Sequence, residues 1–162
     1  MGKSNLIEIL KLVISLAFCQ FAGFIGSLFT TPSIPTWYAA LRKPLFNPPN
    51  SVFGPVWTTL FLLMGISAYL IWRKGFHDKN VKIALLIFIV QLLLNVFWSF
   101  LFFGLHSLSY AFFEIIFLWL AILVTVLSFM NISKPAGILL LPYLLWVSFA
   151  SVLNFSLWKL NP

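Results

Sequence analysis

The side chains able to do chemistry in this chain are mostly aromatic. Seven tryptophans, four tyrosines and nineteen phenylalanines stand against ten basic and three acidic residues. Three places set some of them in informative patterns. The first is Trp37 to Trp57, which carries Trp37, Tyr38, Phe46, Phe53 and Trp57 together with Pro44, Pro48, Pro49 and Pro55. Proline fixes φ and lowers the entropy lost on ordering. A stiff, aromatic loop of this kind suits a lid over a site for a flat hydrophobic ligand. The second place holds Gln91, Asn95 and Trp98 at i, i+4 and i+7, one face of a helix. Amides in an apolar run are costly unless satisfied, so that face points inward. It reads as a polar cavity rim or as interhelical hydrogen bonding. The third holds Tyr143, Trp146, Ala150 and Leu153, again one helical face. There Trp146 supplies a flat wall and Ala150 leaves room, which makes a slot or plain helix packing.

Other chemistry is sparse. His77 and His106 fall in loops on opposite sides and cannot jointly bind a metal; an axial haem contact from His106 is the remaining metal-related reading. No nucleophile triad, metal cluster, phosphate loop or carboxylate pair is present, so no conventional catalytic residue is assigned. Cys19 follows Leu16-Ala17-Phe18, but Phe18 stands where a lipoprotein signal needs a small residue, so Cys19 reads as a buried apolar side chain. The first apolar run is also too long for a cleaved signal peptide. Ser15, Cys19, Gly23 and Gly26 form a small-residue stripe, read as intrachain packing, a self-association face or a thin cavity wall. Glu114 is the only acid well inside an apolar run, with Arg42, Lys43 and His106 as candidate partners. A structural ion pair, a protonated carboxyl and a gating or ligand role are all open to it.

The elements that position these groups follow from composition. The chain is 62% hydrophobic and 8% charged, against about 25% charged in soluble domains. Its mean hydropathy is +1.05. It cannot cover a water-facing surface and reads as an integral membrane protein. Its charge of +7 is not a nucleic-acid footprint, because the basic residues lie between and beside the apolar runs. Five runs reach the ~20 residues a spanning helix needs: roughly Leu6–Phe29, Gly54–Trp72, Lys82–Phe103, Leu108–Met130 and Pro135–Trp158. The fold expected is an all-α membrane protein, a single bundle of five transmembrane helices over residues 1–162 with an ordered first loop capping an internal pocket. With five spans, one side carries Lys3, Lys11, Arg73, Lys74, Lys79, Lys82 and Lys134, and the other Arg42, Lys43 and Lys159. This bias predicts a cytoplasmic N-terminus and an outside Trp37–Trp57 loop, as in a bacterial-type plasma membrane.

Several motifs occur in order along this five-span chain. They are Gly23-x-x-Gly26-Ser27, Trp37-Tyr38, Leu41-Arg42-Lys43-Pro44, Pro48-Pro49 and Gly54-Pro55-Val56-Trp57. Gln91-Leu92-x-Leu94-Asn95-x-x-Trp98 and Pro142-Tyr143-Leu144-x-Trp146-x-x-Phe149-Ala150-x-x-x-Asn154 follow. Together they resemble the translocator protein or tryptophan-rich sensory protein family (TspO/MBR). Two departures stand out. Phe46 takes the place of the family's tryptophan after Lys-Pro-x, and Phe155 the place of a tyrosine in the cholesterol motif of animal members, which makes cholesterol a poor fit.

The resemblance implies a receptor, sensor or translocator that binds tetrapyrroles such as protoporphyrin IX or haem, or related planar lipophiles, with no required cofactor. It implies a ligand site of Tyr38, Phe53, Trp57, Asn95, Trp98, Tyr110, Trp146, Ala150 and Leu153. Arg42 and Lys43 would be free to meet porphyrin propionates at the mouth. Membrane lipid and a second copy in a homodimer are the partners implied. The alternatives are transport of such ligands, or light-dependent porphyrin degradation in which the indoles of Trp57 and Trp146 donate an electron to the excited macrocycle.

Overall fold

The computed structural model describes residues 3–162; the side chain of Lys3, counted above toward orientation, lies outside the described residues. Five helical spans cross the molecule, each long and apolar enough to span a bilayer. The first is α1 (Lys3–Ser33), prolonged by a π-helical turn at Ile34–Tyr38. Then come α2 (Asn50–Trp72) and α3 (Lys79–Ser99), the latter prolonged by a second π-helical turn at Phe100–Gly104. α4 (Leu108–Ile132) is the fourth span, and α5 (Lys134–Leu139) with α6 (Leu141–Leu160) makes the fifth. α1 packs between α2 and α3, α3 on α4, α4 on α5 and α6, and α5 on α2, which closes a ring.

The ends of these helices have local causes. Pro35 lacks an N–H and its ring crowds the carbonyl four residues back, which the wider turn at Ile34–Tyr38 accommodates. Thus α1 and its extension run well past Phe29, and Trp37 and Tyr38 stand on a helix end rather than in a loop. Pro49 is extended (φ −56°, ψ 143°), so α2 starts at Asn50, four residues before the expected Gly54. Gly54, Pro55 and Trp57 therefore lie inside α2. The connection between the first two spans shrinks to Leu41–Pro49. Asp78 caps α3 by accepting a hydrogen bond from the Asn80 N–H at 2.8 Å. Pro142, which has no N–H to give, accompanies the break between α5 and α6 at Leu140.

Two apolar clusters hold the ring. The larger, around Cys19, Met64, Ile71, Phe88, Ile122, Phe129 and Leu140, fills the end where α2 meets α3. There Phe88 and Phe129 stack with centroids 5.7 Å apart. The smaller, around Tyr38, Phe102, Leu108, Ala111, Leu153 and Leu157, lies under the first loop. The bundle's outer face is apolar too: Phe21, Leu86, Leu93, Phe117 and Leu145 are each at least 60% exposed, as a lipid-facing surface requires. α1 crosses α2 at close range. A Cβ on Gly65 would lie 2.9 Å from Leu16 Cα and 3.1 Å from the Ser15 carbonyl oxygen, so only glycine permits this approach. The small-residue stripe of α1 is used the same way. Ser15, Cys19 and Gly26 are buried against the chain's own helices, and Gly23 lies beneath the Phe61 ring.

Candidate functional site

A cavity of about 380 Å³ lies under the first loop, within the usual size range of small-molecule sites. Its walls come from α1, α2, α3 with the π-helical turn after it, and α6; no residue of α4 lines it. Eight of the nine anticipated site residues stand around it. Trp57 and Phe53 face it from α2, Asn95 and Trp98 from α3, and Trp146, Ala150 and Leu153 from α6, with Tyr38 at the roof.

The ninth, Tyr110, is corrected. It sits in the first turn of α4, 68% exposed, and the inward stripe of that helix passes through Leu108, Ala111, Ile115 and Leu118 instead. Tyr110 is ~100° round the helix from Ala111. Gln91 is buried but does not reach the cavity wall, so the polar rim is Asn95 alone of the two amides.

Aromatic contacts set the shape. The Phe53 and Trp146 rings meet edge-to-face at 6.2 Å, and Tyr38 meets Phe53 edge-on at 6.4 Å. Trp57 lies against Phe61 at 5.7 Å and edge-on to Tyr143 at 6.2 Å. Trp98 lies against Phe102 at 4.9 Å. Hydrogen bonds lock several of these rings. Trp98 Nε1 donates to Asn154 Oδ1 at 3.2 Å, and Asn154 Nδ2 donates to the Leu108 carbonyl at 2.9 Å. One amide therefore joins α3, α4 and α6. Asn95 Nδ2 donates to the Tyr143 hydroxyl at 2.9 Å, so Asn95 both bonds between helices and faces the cavity.

The first loop is tied down at several points. The Tyr38 hydroxyl donates to Asn47 Oδ1 at 2.7 Å, and Asn47 Nδ2 donates to the Pro48 carbonyl at 2.9 Å. Lys43 Nζ sits 4.9 Å over the Tyr38 ring and donates to the carbonyls of Ala39 and Leu41 at 3.1 and 3.2 Å. Asn161 exchanges two 2.9 Å hydrogen bonds with the Arg42 backbone, strapping the loop to the end of α6. Phe46, which lacks the indole N–H of the family tryptophan, packs on Phe149 at 6.3 Å. The loop is thus an ordered cap.

The walls are apolar with quiet polar groups. Ser27, Thr30 and Thr58 give their hydroxyl protons to the carbonyls of Phe24, Gly26 and Gly54 on their own helices. Gln20 Nε2 donates to the Thr58 carbonyl across the α1–α2 crossing at 3.1 Å. No acidic or basic side chain lines the cavity among the described residues. The exposed lining residues Phe24, Thr31, Gly54 and Thr58 all belong to α1 and α2, so the cavity opens sideways between those helices.

Two anticipated contacts are not made. Glu114 is buried on α4, and neither carboxylate oxygen has a hydrogen-bond partner among the described residues, so Arg42, Lys43 and His106 do not pair with it. His106 stacks on Trp37 at 4.4 Å and lies 3.4 Å from Ser33 Oγ, outside the cavity. It is therefore not placed as an axial ligand. Of the small-residue stripe of α1, read also as a thin cavity wall, Gly23 and Gly26 line the cavity; the rest of that wall was not anticipated. Thr30, Thr31 and Ile34 line the cavity, as do Phe102 and Phe103 of the second π-helical turn. The polar interruptions Ser27, Thr30 and Thr31 near the end of an apolar run were the available signal.

Residues 15–159 match the model of the TspO/MBR family. The chain is 48% identical over 155 residues to the tryptophan-rich protein TspO of Archaeoglobus fulgidus, covering 95% of this chain and 99% of that one. It is 43% identical over 155 residues to the tryptophan-rich protein TspO of Chlorobaculum tepidum, covering 96% and 98%. It is 38% identical over 140 residues to the human translocator protein, covering 85% and 82%.

Proposed function

Because the chain belongs to the TspO/MBR family, we propose that it is a membrane sensor or translocator whose cavity takes a tetrapyrrole such as protoporphyrin IX or haem, or a similar planar lipophile. The protein is an integral, multi-pass membrane protein. The observation that carries the ligand reading is the set of three indoles, Trp57, Trp98 and Trp146, around one uncharged cavity. Indole faces favour offset or edge-on aromatic partners, and a macrocycle offers a large one. Ala150 leaves the gap beside Trp146 into which the ring edge would slide. The opening between α1 and α2 would admit such a ligand from the bilayer, where a lipophile is concentrated. Lys43, held over the Tyr38 ring at the roof, would offer a cation to a propionate.

Filling the gap tests this reading. Ala150→Phe should abolish saturable protoporphyrin IX binding in lipid nanodiscs while the protein keeps its helical circular-dichroism spectrum. Unchanged affinity in that variant would place the ligand elsewhere. A second reading rests on the position of Trp57 and Trp146 at the same cavity. Either indole could hand an electron to a photoexcited macrocycle. Light-driven loss of the porphyrin band that needs oxygen and both indoles would add an enzymatic activity.

For orientation we propose a cytoplasmic N-terminus, from the lysine and arginine bias, with the Leu41–Pro49 loop outside a bacterial-type plasma membrane. Asn50 is exposed beside that loop, and the natural Cys19 is fully buried. Asn50→Cys should therefore react with a membrane-impermeant maleimide in intact cells. Labelling only after lysis would reverse the topology.

A further inference from the structure

The half of the bundle away from the cavity carries a separate groove of about 220 Å³, open to the lipid face between α1 and α3. Its floor is made by Ser15, Cys19 and Ala68, all buried, and its walls by Phe18, Trp72 and Leu85 with their neighbours. The lining is almost wholly apolar. At the end where α2 turns into α3 the groove meets a basic rim. Lys11 lies three and four residues before the groove residues Ile14 and Ser15 on α1, and Lys82 lies three and seven residues before Leu85 and Ile89 on α3. These spacings put both lysines on the groove faces of their helices. Trp72 and Phe76 both line the groove and flank Lys74 in the turn. Glu8 takes Lys11 at 2.8 Å and Arg73 at 3.6 Å. Lys74 and Lys82 are exposed and make no ion pair among the described residues.

We propose that this groove binds one anionic phospholipid, with an acyl chain between α1 and α3 and the phosphate held at Lys74 and Lys82. Two physical points select that occupant. The slot is too small for a helix, which with its side chains is ~10 Å across or more. Basic pockets between spanning helices attract anionic head groups, and two unpaired lysines at a chain-sized apolar slot supply both halves of such a lipid's chemistry.

Native mass spectrometry of the purified protein with equal amounts of dioleoylphosphatidylglycerol and dioleoylphosphatidylcholine tests the assignment. The phosphatidylglycerol adduct should dominate at low salt. The preference should fall about fivefold for each lysine removed in Lys74→Gln and in Lys74→Gln with Lys82→Gln. Ala68→Leu, which raises the groove floor without touching charge, should lower retention of phosphatidylglycerol. Equal retention of the two lipids by the unaltered protein would overturn the proposal, as would an unchanged preference in the double lysine variant. Full retention in a folded Ala68→Leu protein would remove the chain from the groove. Disulfide-linked dimers of an Ile89→Cys protein in phosphatidylglycerol membranes would give the groove to a second copy instead.

Discussion

Replacing Trp57 and Trp146 together with alanine should weaken protoporphyrin IX binding about 10- to 100-fold. Each indole adds ~0.5–1.5 kcal/mol of aromatic contact beyond the area it buries, and both line the one cavity. Trp57 stands on α2 against Phe61 and Tyr143, and Trp146 on α6 against Phe53 and Phe149. Neither belongs to the fully buried core, so the bundle should fold without them. The single variants should each lose less than the pair, since residues that share one ligand couple. Titrating both proteins in nanodiscs in darkness reads the effect directly. Wild-type affinity in a folded double variant would remove this cavity as the porphyrin site.

Gly65→Val should strongly destabilise the crossing of α1 and α2. The new Cβ would meet backbone on α1, at Leu16 Cα and the Ser15 carbonyl, rather than the tip of a side chain that could rotate away. α1 must then move off α2. Overpacking of this kind costs ~1–3 kcal/mol, and more where backbone has to shift. Because α1 and α2 also form the open side of the cavity, ligand affinity should fall together with stability. Gly54→Ala is the matched control, since nothing lies within 4 Å of a Cβ there. Thermal unfolding in detergent should show a clear drop for Gly65→Val and little change for Gly54→Ala. Equal stability of the two variants would mean that the α1–α2 crossing is looser than described.

Much of this architecture is legible in the sequence, for physical reasons that differ from element to element. The five spans follow from apolar length, which the bilayer dictates. The α6 wall follows from helical periodicity, because Trp146, Ala150 and Leu153 share a face that no lateral shift of the helix can scatter. The same periodicity finds Asn95 and Trp98. It leaves open whether such a face serves a ligand or a neighbouring helix; Asn95 bonds Tyr143 on α6 and also lines the cavity. Tyr110 fails because its place depends on how α4 rotates against α3 and α6, which local pattern does not encode. The wall from α1 was obscured because glycines and hydroxyl residues serve packing and cavity alike. Helix ends differ from the apolar runs at prolines: Pro35 lies in a widened turn that prolongs α1, and Pro49 precedes an α2 that starts four residues early.

One chain should hold one tetrapyrrole in the aromatic cavity beneath the first loop. Titration of the unaltered protein with protoporphyrin IX in lipid nanodiscs, in darkness, tests it most directly. Quenching of tryptophan fluorescence and a shift of the porphyrin band should saturate together at one ligand per chain. Quenching that rises without saturation, no different from nanodiscs lacking the protein, would rule out a single bound tetrapyrrole.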